Sequence, residues 1–192
     1  VLGSIQPQPI PQGEDGRLPL DAIRAAIKPV GDSHFARTRL LALENTWHGR
    51  VLDRAYIGEA GALAKQHQLA FHLDGARLYN AAVAEGVQAR TITAPFDSVS
   101  VCLSKGLGAP VGSVLLGDAA LIERARRWRK VLGGGWRQAG HLASAGLYAL
   151  QHHVERLTED HARAARLADG LSAIRGIDLL GQHTNMVFIR VP

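Results

Sequence analysis

Two side chains that could do chemistry together each follow an apolar segment of this chain. Asp74 comes directly after LAFHL (69–73), and Lys105 comes directly after DSVSVCLS (97–104). Ligands of open α/β sheets bind beyond the carboxyl ends of the strands. If both segments are neighbouring strands, an acid and an amine leave the same edge of one sheet.

Lys105 has three possible roles: a solvated loop lysine, a phosphate-binding lysine or a reactive amine. Burial or nearby cations lower the pKa of a lysine, and the neutral amine is then a nucleophile toward carbonyl groups. Gly106 and Gly108 follow the lysine, so a flat ligand could approach the backbone closely. A Walker phosphate loop is excluded, because the pattern GxxxxGK[ST] is absent.

Asp74 ends a predicted buried strand, where a carboxylate needs a cationic partner. One candidate partner is Arg77, three residues further on. The other is the protonated ring nitrogen of a bound cofactor. Pyridoxal phosphate carries such a ring, and its carbonyl needs a lysine. Asp74 and Lys105 match that requirement together, and neither does so alone.

Strands alternate with helices along the chain, which predicts an α/β domain with a mainly parallel sheet. Asp53 and Asp118 are predicted N-caps, and Gly86 is a predicted helix end. The first ten residues read as a strand entering a loop. The apolar spacing predicts helices at 18–28, 53–67, 76–86, 118–132 and 140–171, and strands at 39–43, 69–73, 97–103, 112–117, 177–180 and 186–190.

Composition indicates a globular protein, with 46% hydrophobic and 20% charged residues among 192. No apolar run approaches the ~18–20 residues of a membrane span, so we expect no membrane contact. Cys102 is the single cysteine, which excludes an internal disulfide and fits a cytoplasmic location. The histidines show no metal-ligand pattern, and we expect no metal. Since residue 1 is Val and the last residues read as a strand, we expect a longer parent chain.

The net charge of +5 comes largely from RARRWRKVLGGGWRQ (124–138). A nucleic-acid surface is one interpretation of this stretch. Binding of small anions and contacts between subunits explain the same charge, so we expect no nucleic-acid partner.

Five stretches, taken in order, resemble the low-specificity L-threonine aldolases, which are fold-type I pyridoxal-phosphate enzymes. The resemblance implies a three-layer α/β/α large domain over 1–150 and a linking helix with the start of a smaller α+β domain over 151–192. It also implies that the amino-terminal part and most of the small domain are missing. The stretches are DSHFARTRLLALENT (32–46), HLDGARLYNAA (72–82), DSVSVCLSKGLGAPVGS (97–113), RRWRKVLGGGWRQAG (126–140) and TNMVFIRV (184–191).

The resemblance implies a role for each matching residue. Lys105 would form a Schiff base with pyridoxal phosphate, and Asp74 would keep the ring nitrogen protonated. Arg77 would reach a cofactor oxygen and the substrate carboxylate. Ser104 would contact the cofactor phosphate. Each of these two residues has a purely structural alternative. Arg77 could form an ion pair with Asp74, and Ser104 could cap the turn.

Two further roles are implied in loops. Arg137, in GGGWRQAG, would reach the cofactor phosphate of a neighbouring subunit, which implies a homodimer or homotetramer with shared sites; an interface role alone is the alternative. His34, in DSHFART, would lie near the substrate hydroxyl, although a loop histidine is often structural. The chain departs from the family where it reads ENTWH instead of ENTHN, which places Trp47 near the ligand region and could alter substrate preference.

The implied activity is aldol cleavage of L-threonine, L-allo-threonine and related β-hydroxy amino acids to glycine and an aldehyde. The alternatives are a β-eliminating lyase of the same fold type and a non-catalytic chain that only dimerises.

Overall fold

The computed structural model describes residues 3–192. Helices and strands alternate through most of this range, as the apolar spacing predicted. Its helices are α1 Leu20–Ala26, α2 Arg54–Gln66, α3 Leu78–Glu85, α4 Ala89–Thr93, α5 Ala119–Val131, α6 Gly140–His152 and α7 Leu157–Ser172, and its strands are β1 Leu40–Glu44, β2 Ala70–Gly75, β3 Ser98–Cys102, β4 Ser113–Gly117, β5 Asp178–His183 and β6 Met186–Arg190.

The central sheet has four strands in the order β1-β2-β3-β4. The first three are parallel, and β4 runs antiparallel to β3. Strands β5 and β6 form a separate antiparallel pair. The predicted class, an α/β fold with a mainly parallel sheet, is confirmed.

One face of the central sheet carries the main hydrophobic core. Alternate residues of a strand point to the same face, and on this face they pack against buried side chains of α1 to α4. The sheet residues of this core are Leu41, Leu43, Phe71, Leu73, Val99 and Val101. The opposite face is more polar: His72 of β2 and Ser98 of β3 are hydrogen-bonded there, with 2.8 Å between Nδ1 and Oγ.

The predicted helix caps are confirmed. The side chain of Asp53 accepts hydrogen bonds from the backbone N–H groups of Ala55 and Tyr56 at the start of α2. Asp118 accepts from Leu121 N–H at the start of α5. Gly86 ends α3 with φ of 64°, a left-handed conformation that favours glycine.

Two expectations about the elements were wrong, and one helix was not predicted. The single helix predicted over 140–171 is two helices, α6 and α7, because residues 153–156 form turns with tighter backbone bonds such as Leu157 N–H to Val154 C=O. Helix α4 was not predicted, since its β-branched residues favour helices weakly. Residues 3–10 form no strand, and residues 1 and 2 of that predicted strand lie outside the described range.

No helix within residues 3–192 combines the length and the apolarity needed to cross a bilayer. The domain boundary at residue 150 stays a prediction. Helix α7 contacts both strands of the β5–β6 pair, and it also contacts α3 of the larger part.

Candidate active site

Asp74 lies near the carboxyl end of β2, next to the ends of both neighbouring strands. It pairs in register with Glu44 of β1 and with Ser100 of β3. Its Oδ1 accepts a hydrogen bond of 3.0 Å from Ala76 N–H, and its backbone C=O accepts one of 2.9 Å from Asn45 N–H. The side chain is exposed on the polar face. Its backbone is therefore fixed while its carboxylate remains open to a ligand.

Lys105 lies in the turn between β3 and β4, which we call the lysine loop (residues 103–112). The loop is closed by backbone bonds from Gly108 N–H to Lys105 C=O and from Ala109 N–H to Leu103 C=O, of 2.8 and 3.0 Å. The Lys105 residue is exposed. Asp74 thus lies one residue before β2 ends, and Lys105 lies three residues after β3 ends, so the predicted acid and amine are at the same edge of the sheet.

The pKa of Glu44 shows which charged groups lie near the carboxyl ends of β1 and β2. Burial raises the pKa of its carboxyl, and the neighbouring Asp74 raises it further. The positive charges of His48, Arg77 and Lys105 oppose this rise without cancelling it. Asp74, His48, Arg77 and Lys105 thus all lie close enough to Glu44 to influence its pKa.

Arg77 follows β2 and is partly buried. Within residues 3–192 it forms no ion pair with Asp74, since no nitrogen–oxygen distance between the two is 4.0 Å or less. Its Nε is buried and has no hydrogen-bond partner there. A cavity of about 10 Å³ lies beside it, lined also by Cys102, Lys105 and Gly106. A buried donor without a partner is costly, so this geometry fits an anionic or carbonyl ligand at Arg77.

Ser104 lies next to Lys105 and is exposed, with its Oγ 3.5 Å from the Cys102 Sγ. Burial raises the pKa of the Cys102 thiol, but the hydrogen bonds of Ser104 and the charge of Lys105 outweigh it, and the pKa is lowered. The hydrogen bonds of Ser104 contribute more to this lowering than the charge of Lys105 does.

Among the described residues 3–192, no hydrogen bond or ion pair joins His34 or Arg137 to this cluster. His34 is exposed in the loop before β1, where its Nδ1 lies 2.9 Å from Asp32 Oδ1. That contact lowers the pKa of the Asp32 carboxyl. Arg137 is exposed between α5 and α6. The roles implied for both residues stay predictions.

The loop after β1 joins the candidate site to the β5–β6 pair. Thr184 Oγ1 donates a 2.7 Å hydrogen bond to Gly49 C=O, and the His48 ring contacts the Phe188 ring. Trp47 packs against Gly16 and His48. This explains how a tryptophan is accommodated where the family often has histidine.

Glu44 and His48 were missed as site residues in the sequence. Glu44 ends the strand that pairs with β2, so the rule that polar residues gather at carboxyl strand ends could have found it. His48 lies in the turn between Trp47 and Arg50, and no spacing rule points to it.

Two other observations limit the search for a site. A larger cavity of about 410 Å³ lies between α3, α4 and β4, and none of the predicted site residues lines it. Within residues 3–192, no group of three or more His, Cys, Asp or Glu side chains could hold a metal ion.

The fold and the strand-end cluster can now be compared with known proteins. The family described as beta-eliminating lyase matches residues 1–192. This chain therefore belongs to the beta-eliminating lyase family, and the resemblance stated from the sequence is confirmed.

Individual relatives narrow the comparison. The low specificity L-threonine aldolase of Escherichia coli K12 is 56% identical over 191 residues, which are 100% of this chain and 57% of that protein. The low-specificity L-threonine aldolase 1 of Arabidopsis thaliana is 46% identical, over 98% of this chain and 54% of that protein. The chain thus spans little more than half the length of these curated relatives.

A solved structure shares the fold. The threonine aldolase of Leishmania major superposes with a TM-score of 0.72 at 23% identity, covering 88% of this chain and 51% of that chain. At this identity the likeness shows the fold alone.

Proposed function

We propose that this chain forms the cofactor-binding part of a lyase that cleaves β-hydroxy amino acids, such as threonine and allo-threonine, to glycine and an aldehyde. The observation that supports it most is the placement of Asp74 and Lys105 at the carboxyl ends of the neighbouring strands β2 and β3, where Glu44 and Arg77 also lie. The names of the relatives point to the same activity.

The residues present fit pyridoxal phosphate. Lys105 offers an amine for the carbonyl, Asp74 an open carboxylate for the ring nitrogen, and Arg77 a buried Nε without a partner for an oxygen. Ser104 would contact the phosphate, and Arg137 would contact the phosphate in a neighbouring subunit of a homodimer or homotetramer. When bound, the cofactor would supply a sink for the electrons released as the Cα–Cβ bond breaks.

Three side chains of this chain would bind the cofactor and substrate and transfer protons. The negative charge of Asp74 would keep a proton on the ring nitrogen, because an opposite charge nearby favours the charged form. Arg77 would hold the substrate carboxylate through charge-assisted hydrogen bonds. Lys105 would take a proton from the incoming substrate ammonium and deliver one to the substrate Cα after the Cα–Cβ bond has broken.

His34 is the candidate to take the β-hydroxyl proton. Its ring is exposed, and its Nδ1 lies 2.9 Å from Asp32 Oδ1, a contact that would hold the ring in one orientation. We extend the proposal to a cytoplasmic location, which the single cysteine supports.

Product analysis of the full-length protein tests the activity. With threonine, we expect glycine and acetaldehyde in equal amounts, and Lys105→Ala should abolish both. Release of ammonia and pyruvate from serine, or of phenol from tyrosine, in preference to acetaldehyde from threonine would favour β-elimination instead. Failure to take up pyridoxal phosphate would favour a non-catalytic chain.

A further inference from the structure

The turn between α6 and α7, residues 153–156, meets the lysine loop directly. The Nδ1 atom of His153 lies 2.7 Å from the backbone oxygen of Leu107. A carbonyl oxygen can only accept, so Nδ1 carries the proton and donates it. The bond persists when the ring is protonated, because both nitrogens then carry hydrogens.

Packing leaves the lysine loop little room at this contact. Leu107 and Leu157 are 4% and 1% exposed, and with Ala149 they belong to a second, small hydrophobic core. A Cβ on Gly106 would lie 2.8 Å from Leu157 Cδ2. A Cβ on Gly108 would lie 3.5 Å from His153 Nδ1. At Gly106 the loop therefore packs against Leu157 more closely than a residue with a Cβ could, whereas at Gly108 an added Cβ would be in ordinary contact with His153.

The hydrogen bond of His153 differs from the others in the loop. The remaining backbone bonds of this segment join the loop to itself, such as Gly108 N–H to Lys105 C=O. Within residues 3–192, His153 is the one side chain that hydrogen-bonds to the backbone of residues 105–109. It thus ties the loop to the helices instead of to itself.

We propose that His153 is a positioning residue for Lys105. By holding the Leu107 carbonyl, it fixes the turn two residues after the lysine and so limits where the amine can point. The catalytic importance of this contact rests on the proposed function of Lys105, whereas the contact between His153 and Leu107 does not depend on that function.

Three substitutions in the full-length protein separate a donor role from a packing role. In His153→Asn the amide nitrogen takes nearly the place of Nδ1, so the bond is kept. In His153→Gln the nitrogen lies one bond further out, and in His153→Leu there is no donor. All three keep a side chain of moderate size in the same turn.

Hydrogen exchange of the cofactor-free protein, followed by mass spectrometry on peptides covering 103–112, gives a readout other than activity. A net hydrogen bond is worth ~0.5–1.5 kcal/mol, so exchange in this peptide should rise about two- to tenfold in His153→Gln and His153→Leu. His153→Asn should exchange like the natural protein. Peptides from β1 should not change in any variant.

A second measurement links the contact to the lysine. Pyridoxal phosphate is added, the adduct is fixed with borohydride, and the label on Lys105 is quantified against time. Labelling should slow in His153→Gln and be restored in His153→Asn. The proposal is overturned if Asn and Gln give equal exchange and equal labelling. If Lys105 takes no label in the natural protein, the proposed function fails, while the exchange data still test the contact.

Discussion

A substitution of Gly75 tests how closely the backbones of β2 and β3 approach each other beside the candidate site. Gly75 directly follows Asp74 and pairs with Val101. A Cβ placed on it would lie 2.6 Å from the backbone oxygen of Ser100. That oxygen belongs to the neighbouring strand, so it cannot move aside as the tip of a side chain would. Gly75→Ala must therefore push β2 and β3 apart beside the candidate site.

The expected cost follows from this contact. Overpacking in a well-packed interior costs ~1–3 kcal/mol, and a weakened hydrogen bond of the strand pair adds ~1 kcal/mol. For a chain of this size, the melting temperature should fall by roughly 5–15 °C. The matched control is Gly58→Ala in α2, which is exposed and has no atom within 4 Å of an added Cβ. There, alanine should stabilise by ~0.5–1 kcal/mol.

Urea unfolding followed by circular dichroism measures both variants under the same conditions. The reasoning requires opposite signs for the two substitutions. It would be refuted by a Gly75→Ala protein as stable as the natural one, because the close approach of the two strands would then not exist.

Three further predictions concern the site. Because the net effect of its surroundings lowers the pKa of the Cys102 thiol, iodoacetamide should react with it faster at pH 7.5 than with a free cysteine. Lys105→Met should shift the pH–rate curve of this reaction to higher pH, and an unchanged curve would place the ammonium elsewhere. Folding raises the pKa of Glu44, so its contribution to stability is present below the usual carboxyl pKa and is lost as pH rises through the raised pKa. Glu44→Gln should therefore stabilise the protein at pH 8 and not at pH 4, as measured by urea unfolding. Stabilisation at pH 4 and not at pH 8 would contradict the assignment. Gly106→Ala should destabilise by ~1–3 kcal/mol, because the buried Leu157 must shift, and equal melting temperatures would rule this out.

The sequence predicted those parts of the fold that rest on local rules. Asp53 and Asp118 cap helices because their carboxylates satisfy free N–H groups, and the residues needed for that are visible in the chain. The strand-end placement of Asp74 and Lys105 followed from alternation and parallel topology. These features depend only on residues close in sequence and on the parallel arrangement of the strands.

The break between α6 and α7 could not be predicted in the same way. No glycine or proline marks residues 153–156, and the apolar spacing continues across them. The break places His153 and Leu157 against the lysine loop, about fifty residues earlier in the chain. Contacts between distant segments leave no period in the sequence.

The central claim is that Lys105 is the amine that holds pyridoxal phosphate. The most direct test adds the cofactor to the full-length protein, fixes the adduct with borohydride and locates the label by peptide mass spectrometry. The account predicts label on Lys105 and its loss in Lys105→Ala, with little on Lys28, Lys65 or Lys130. Label that persists in Lys105→Ala, or that lies mainly on another of these lysines, would contradict it.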